Sequence, residues 1–392
     1  MPLPKDRQLY VFDPVALHSI LLKDQDLYEE PPELMSVKSL PFGTGILSTD
    51  RDEHACFARD GLIAPNLRTG PKAVDLFPVF GRLALELIGR TGIQPCASCC
   101  DPTMHELSLF MPFLPLIVKI LFPSFRRFMI NLVPLPPLRR LCNLVDTTHT
   151  ETAQLVAERK AAIQSGELYV KEDAKDIMSL LISVKSNMSA GDAIHLADEL
   201  VASTAMIIFA ATDTTSGALS RIFHILALHP EVQDKILAAP EHLDHDALVA
   251  LPYLDAFVRE VLRLFPPVSP GVSRETSEDT VLPLSTSIVG VDGTPMSTIT
   301  AERWMHGKAE AATTKTCGIY GNMMTFIGGG RSCIGVQFSQ LEMKAVLCVF
   351  LHAFTFSAPE SSIKWRMTGA IQGPNVDGQP RLPIRIERRK VE

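Results

Sequence analysis

The 392-residue sequence has no apolar run long enough to cross a bilayer, which takes about 18 or more uncharged apolar residues. The nearest approach, Leu107 to Leu121, is interrupted by Lys119. There is no basic excess: 37 Lys and Arg stand against 44 Asp and Glu, a net charge of −7, which argues against a nucleic-acid partner. Met1-Pro2-Leu3-Pro4-Lys5-Asp6-Arg7 carries no apolar h-region, so no secretory leader is read there. The chain has no flavin or nicotinamide fingerprint, no internal repeat and no low-complexity run.

The 8 cysteines are too dispersed in a chain of this length to read as a disulfide framework, and a reducing compartment is expected. Cys96, Cys99 and Cys100 have the spacing of a zinc half-site, but neither a second pair nor a His pair follows, so a cysteine-rich loop is the reading.

What is present is a globular balance, 46% hydrophobic and 21% charged, enough for a large core. Leu9 to Phe12 reads as a strand. Asp13-Pro14 caps a short helix running to Leu21. Residues 51–105 are the least regular, with helix only at Leu83–Ile88. Residues 106–142 are apolar, broken by prolines and interleaved with Lys119, Arg126, Arg127, Arg139 and Arg140. They read equally as core loops or as a surface dipping into a membrane interface. From Ser189 to His229 the pattern is one long helix, apolar nearly all round at Leu200–Ala211, the mark of a buried helix. Helices follow, opened by Pro230 and closed by Pro266-Pro267. Residues 271–300 read as strands with Asp292-Gly293 as a hairpin turn. Residues 336–353 form another apolar helix, and the tail returns to short strands. The fold class expected is mainly α with a small β region.

The strongest motif is Phe326-Ile327-Gly328-Gly329-Gly330-Arg331-Ser332-Cys333-Ile334-Gly335. Glycines let the backbone lie flat against a planar group. Backbone N–H groups near the sulfur can tune a bound metal, and Arg331 suits a carboxylate. A helix beginning just after Cys333 favours a thiolate. A phosphate loop is excluded, because no G-K-[ST] follows. The stretch resembles F-x-x-G-x-R-x-C-x-G, the cysteine-ligand loop of cytochromes P450, and average residue frequencies give such a match by chance roughly once in ten thousand chains. The resemblance implies that Cys333 is the axial ligand of haem b iron. It also implies that Arg331 meets a haem propionate and that Phe326, Gly329 and Gly335 shape the haem-facing loop.

Two further segments strengthen the resemblance. Glu260-x-x-Arg263, ending a helix at Pro266-Pro267, is common alone, about one per chain. In the family it is joined by an arginine from P-E-R-W, which here is Ala301-Glu302-Arg303-Trp304, so Arg303 is the implied third member of a structural trio. Ala210-Ala211-Thr212-Asp213-Thr214-Thr215 resembles A-G-x-D-T-T of the oxygen-binding helix. Polar groups in a buried helix are costly unless used or satisfied by back-bonding to carbonyls. The resemblance makes Thr214 the residue that hydrogen-bonds dioxygen and Asp213 the proton relay. Arg274 resembles a second propionate arginine, and His54 the start of the helix that crosses the proximal haem face.

The family expectation is therefore a single domain over 1–392, with 189–392 as the haem-binding core and 1–188 incomplete. Anchor, first helix and a segment between Thr300 and Ala301 are without counterpart, so the fold is expected to be partly truncated. The implied activity is a monooxygenase that uses O2 and a small hydrophobic substrate, in specialised metabolism. Electrons would come from an NADPH-cytochrome P450 reductase-type donor, at the cytosolic face of the endoplasmic reticulum membrane or in peripheral contact with it. The rival readings are a non-catalytic haem-thiolate relative, and isomerase or peroxygenase chemistry at Cys333.

Overall fold

The structure is a computed structural model. It describes residues 11, 13–24, 27–29, 72–89, 193–237, 248, 251–268, 275–276, 318, 320, 323–368 and 371–389, with scattered positions between 139 and 161. The chain divides into two compact units: Met1–Leu3, Pro32–His54 and Pro78–Ser216 form one, and Pro4–Pro31, Ala55–Phe77 and Gly217–Glu392 the other.

In the first unit, helix α2 (Phe77–Gly89, all but its first residue) buries Phe80, Leu83, Ala84, Leu87 and Ile88. Their spacing of three and four places them on one face, and full burial stabilises by roughly 1.5–3 kcal/mol for each of the larger ones. The helix extends well beyond the expected Leu83–Ile88. The unit also holds most of α3 (Ala193–Leu228), which matches the long helix expected from Ser189 to His229. Val201, Thr204, Ile207, Ile208, Thr212 and Thr215 along it are buried.

The second unit opens with α1 (Pro14–His18), whose N-cap Asp13 accepts from the Val15 and Ala16 N–H groups, with Pro14 in its first turn. The chain then continues as a π-helical turn over Ser19–Lys23, and the Ser19 hydroxyl donates to Asp24. The short strand β1 (Tyr28–Glu29) pairs antiparallel with β3 (Glu275–Thr276). The last turns of α3 lead into α4 (Pro230–Leu237), then α5 (Pro252–Leu264), which starts on a proline and stops before Pro266-Pro267. Helix α6 (Val336–Ala353) has the expected bounds.

The tail supplies β4 (Phe354–Ser357), β5 (Lys364–Thr368), β6 (Ile371–Asn375) and β7 (Pro383–Arg388). With β2 (Lys72–Asp75), a three-stranded sheet has the order β2-β7-β4, and β5 pairs with β6. Strand β2 lies in the stretch expected to be irregular. Its partner is β7, with Lys72 opposite Ile386, so its strand character comes from a distant segment. The expected Leu9–Phe12 strand and the Asp292-Gly293 turn fall outside the described residues, apart from Val11.

The core of the second unit is aromatic: Phe223 meets Phe356 at 4.8 Å and Phe350 at 5.6 Å between centroids, distances typical of favourable ring pairs. The buried amide of Gln233 is fully used beside it. Its Nε2 donates to the Leu226 and Phe356 carbonyls, both at 2.7 Å, and its Oε1 accepts the Phe356 N–H at 3.1 Å.

The last turns of α3 also carry the β5–β6 hairpin. A Cβ on Gly217 would lie 3.1 Å from the Gln372 carbonyl. Arg221 is sandwiched between the Trp365 and Phe265 rings at 3.5 and 4.2 Å. The Trp365 indole N–H donates to His224 Nδ1 at 3.1 Å. Burial pulls the Arg221 guanidinium down to about 9, and burial followed by the Arg221 charge pulls His224 down to about 4. His224 is therefore a neutral acceptor at ordinary pH.

Candidate haem-thiolate site

The site in the second unit is built on helix α5 and on the loop that runs into helix α6. Glu260 on α5 is fully buried and Arg263, one turn on, closes on it as a fork, with Nε to Oε2 at 2.8 Å and Nη2 to Oε1 at 2.9 Å. This hydrogen bond, ahead of the opposing effect of burial, holds the guanidinium above its ordinary range. Two parallel charge-assisted bonds of this kind are strong and directional. The Thr325 hydroxyl donates to the Leu262 carbonyl at 3.0 Å, which ties the segment before the loop to the same helix.

The loop is shaped by its backbone. Ile327 has φ 59° and Gly329 φ 73°. Gly329 adopts the left-handed region at little cost. Ile327 is β-branched, so the same conformation there is strained by about 1–3 kcal/mol. The Cys333 N–H donates to the Phe326 carbonyl at 2.8 Å, and the Ser332 N–H to Gly329 at 3.1 Å. Cys333 is a free thiol, open on one side to solvent. On its other side the loop partly desolvates it, which raises its pKa, while a hydrogen bond from the Gly335 N–H lowers it. Helix α6 begins at Val336, immediately after Gly335, so its positive end lies next to the sulfur. Arg331 is exposed and Phe326 half-buried.

This donor set fits a haem-thiolate centre. The single sulfur is accessible, has a backbone N–H directed to it, stands at a helix N-terminus and lies on a glycine-rich loop that leaves one face clear. Among the described residues no group of three His, Cys, Asp or Glu side chains could hold a different metal.

The acid–alcohol turn belongs to the first unit and is stated separately. Thr212, Thr214 and Ser216 all bond back within α3: to Ile208 at 2.7 Å, Ala210 at 2.6 Å and Asp213 at 3.1 Å. With its hydrogen donated to Ala210, the Thr214 oxygen keeps lone pairs free to accept. Burial pushes Asp213 up to about 6, into the range where a carboxyl takes and returns protons near neutrality. Arg303, Arg274, His54 and the Cys96–Cys100 cluster lie outside the described residues.

The sequence reading missed a second buried ionic group. Lys344 on α6 pairs with Asp255 on α5 at 2.7 Å, and Asp255 also holds Arg259 at 2.7 Å. A lone lysine inside the apolar 336–353 helix was the available signal.

Comparison with known proteins points the same way. Residues 66–286 and 300–375 match the family described as Cytochrome P450. The chain is 34% identical to Cytochrome P450 monooxygenase 91 of Postia placenta, over 98% of this chain and 85% of that protein. It is 33% identical to Cytochrome P450 monooxygenase 81 of the same fungus, over 96% and 84%. Ganoderic acid synthetase CYP5150L8 of Ganoderma lucidum is 31% identical over 96% and 84%. The first alignment spans 467 positions against a chain of 392 residues, so at least 75 of those positions have no residue here.

Proposed function

The chain belongs to the cytochrome P450 family of haem-dependent monooxygenases, and from that premise we propose that it binds haem b and hydroxylates a small apolar organic substrate with O2. One oxygen atom enters a substrate C–H bond and the other leaves as water. Two electrons and two protons are consumed, the electrons coming from NADPH through a flavoprotein reductase.

The observation that carries this reading is Cys333: exposed, free, hydrogen-bonded by the Gly335 N–H and set at the start of α6. Haem held there supplies reductive activation of O2. By the family resemblance, Arg331 and Arg274 would bind the propionates, Phe326, Gly329 and Gly335 would shape the loop against the ring, and His54 would belong to the helix that crosses the ring. Glu260 and Arg263, with Arg303 as the third member that the family implies, would brace the loop. Thr214 presents its hydroxyl to O2, and Asp213, pushed up to about 6, delivers protons. Among the described residues no helix is long and apolar enough to cross a membrane. The basic and apolar 106–142 segment is assigned to peripheral contact with the endoplasmic reticulum membrane, on its cytosolic side. The relative named a ganoderic acid synthetase supports a role in specialised metabolism.

The positions missing relative to that first Postia placenta protein favour one second reading, a haem-thiolate relative without catalysis. The spectrum of reduced, CO-treated protein separates the two, measured on wild type and Cys333→Ser. A red-shifted thiolate-type band in wild type, absent from the variant, is expected. Its absence from wild type sinks the first reading, and its survival in Cys333→Ser removes Cys333 as the ligand. Turnover with peroxide alone, without reductase, would reassign the chemistry to peroxygenation.

A further inference from the structure

The segment before the thiolate loop is tied to α5 by the Thr325 hydroxyl at the Leu262 carbonyl. We propose that Arg259 and Tyr320 are positioning residues for the Cys333 ligand. Arg259 presses the Tyr320 ring against Phe326, and Phe326 fixes the Cys333 backbone. The proposal rests on the haem-thiolate reading above and adds residues which that reading does not contain.

The contacts run inward from α6. Lys344, with its side chain 3% exposed, holds one oxygen of Asp255 at 2.7 Å, and the other oxygen holds Arg259 Nε at 2.7 Å. The carboxylate is engaged on both oxygens, and its contact with Arg259 Nε, one turn later on α5, is an ion pair rather than an aligned hydrogen bond. Its guanidinium carbon lies 4.8 Å from the Tyr320 ring centroid, inside cation–π range. Tyr320 meets Phe326 edge-on, with centroids 5.4 Å apart at 72°, a favoured aromatic geometry. The Phe326 carbonyl then accepts the Cys333 N–H at 2.8 Å.

Tyr320 is itself immobilised. The Met323 N–H donates to the Tyr320 carbonyl at 3.1 Å, and a Cβ on Gly318 would overlap the Met323 carbonyl. The Tyr320 hydroxyl is buried, with no partner at hydrogen-bonding geometry among the described residues. The hydroxyl sits near Arg259 and Asp255 without an aligned hydrogen bond, whereas the ring touches both Arg259 and Phe326 and carries the contact to the loop.

That asymmetry supplies the test. The full chain, loaded with haem, is reduced, treated with CO and warmed mildly while loss of the thiolate-type band is timed. Tyr320→Phe is expected to match wild type within about twofold, whereas Tyr320→Leu and Arg259→Met lose the band about tenfold faster, the scale of one lost cation–π contact. Phe354→Leu, a core change outside this chain of contacts, is the control for general destabilisation. A second readout needs no haem: amide exchange of the peptide spanning 323–335 accelerates at Cys333 in Tyr320→Leu and Arg259→Met but not in Tyr320→Phe.

Wild-type rates in Tyr320→Leu on both readouts would overturn the proposal. So would a Tyr320→Phe as fast as Tyr320→Leu, or a Phe354→Leu that accelerates equally at an equal drop in unfolding midpoint. If wild type shows no thiolate band, the haem-thiolate reading falls, and the exchange measurement still decides the positioning claim.

Discussion

The Cys333 loop and the Asp213–Thr214 turn hold their chemical groups in opposite ways. The loop takes its shape from contacts outside itself: Thr325 reaches Leu262 on a distant helix, and Phe326 leans on Tyr320 just upstream. It also carries a β-branched residue at φ 59°, which only the surrounding structure can impose. The hydroxyls of Thr212, Thr214 and Ser216 bond to carbonyls three or four residues back in their own helix. A ligand presented outward at a fixed angle needs tertiary bracing, whereas helical hydroxyls need only a nearby carbonyl.

That contrast breaks most visibly at Glu260. Glu260→Ala leaves Arg263 half-buried without its carboxylate, and unfolding stability should fall by about 3 kcal/mol, the cost of breaking a buried pair. Denaturant unfolding checks it, and a loss below the scatter of surface substitutions would show that the fork does not brace the loop.

Asp213 should behave oppositely, because its removal relieves a cost. Its folded pKa of about 6 lies above the ordinary 3.8, so the native state binds more protons than the unfolded one between those values. Wild-type stability contributed by this group therefore falls as pH rises from about 4 to about 6 and is flat above. Asp213→Asn should gain on wild type across that window, by up to about 3 kcal/mol at neutral pH. A pH-independent difference between the two proteins would contradict the burial argument.

Thr214→Ala sharpens the comparison further. Losing a local back-bond should change stability by less than about 1 kcal/mol. If Thr214 holds O2 by accepting a hydrogen bond, product formed per NADPH consumed should fall about tenfold or more, as expected when a positioned group in the proton path is lost. A variant that unfolds readily but turns over normally would invert the assignment.

The smallest effect is expected at Ile327. Ile327→Gly relieves the left-handed strain but gives up burial and adds unfolded-state freedom, so stability should rise by no more than about 1 kcal/mol. A clear loss, read from the thermal midpoint, would mean that the side chain's packing outweighs the strain.

Legibility in the sequence followed the range of the interactions. The α3 and α6 helices, the Asp13 cap and the Glu260–Arg263 spacing are local patterns, and they were readable within a residue or a few. The Cys333 loop was readable because its glycines, arginine and cysteine are consecutive. Strand β2 was not, because Lys72-Ala73-Val74-Asp75 becomes a strand only on meeting β7. The Asp255–Lys344 pair and the Arg221 sandwich escaped for the same reason: each joins groups that no sequence window contains. The Asp213–Thr214 turn stood out in the sequence as polar residues inside an apolar helix, but its upward-shifted carboxyl needed the burial that only the structure gives.

Among the described residues, strand β4 lies at the margin of its sheet, with β7 on one side only. Such margins are where extended segments of other molecules attach and aggregation begins. At Phe356 the outward-facing N–H and carbonyl are both already occupied by the Gln233 amide. One side chain thus acts as a blunt end-stop on the ribbon. At that position a passing extended peptide finds neither donor nor acceptor, and the molecule is shielded there from self-association by a single buried glutamine.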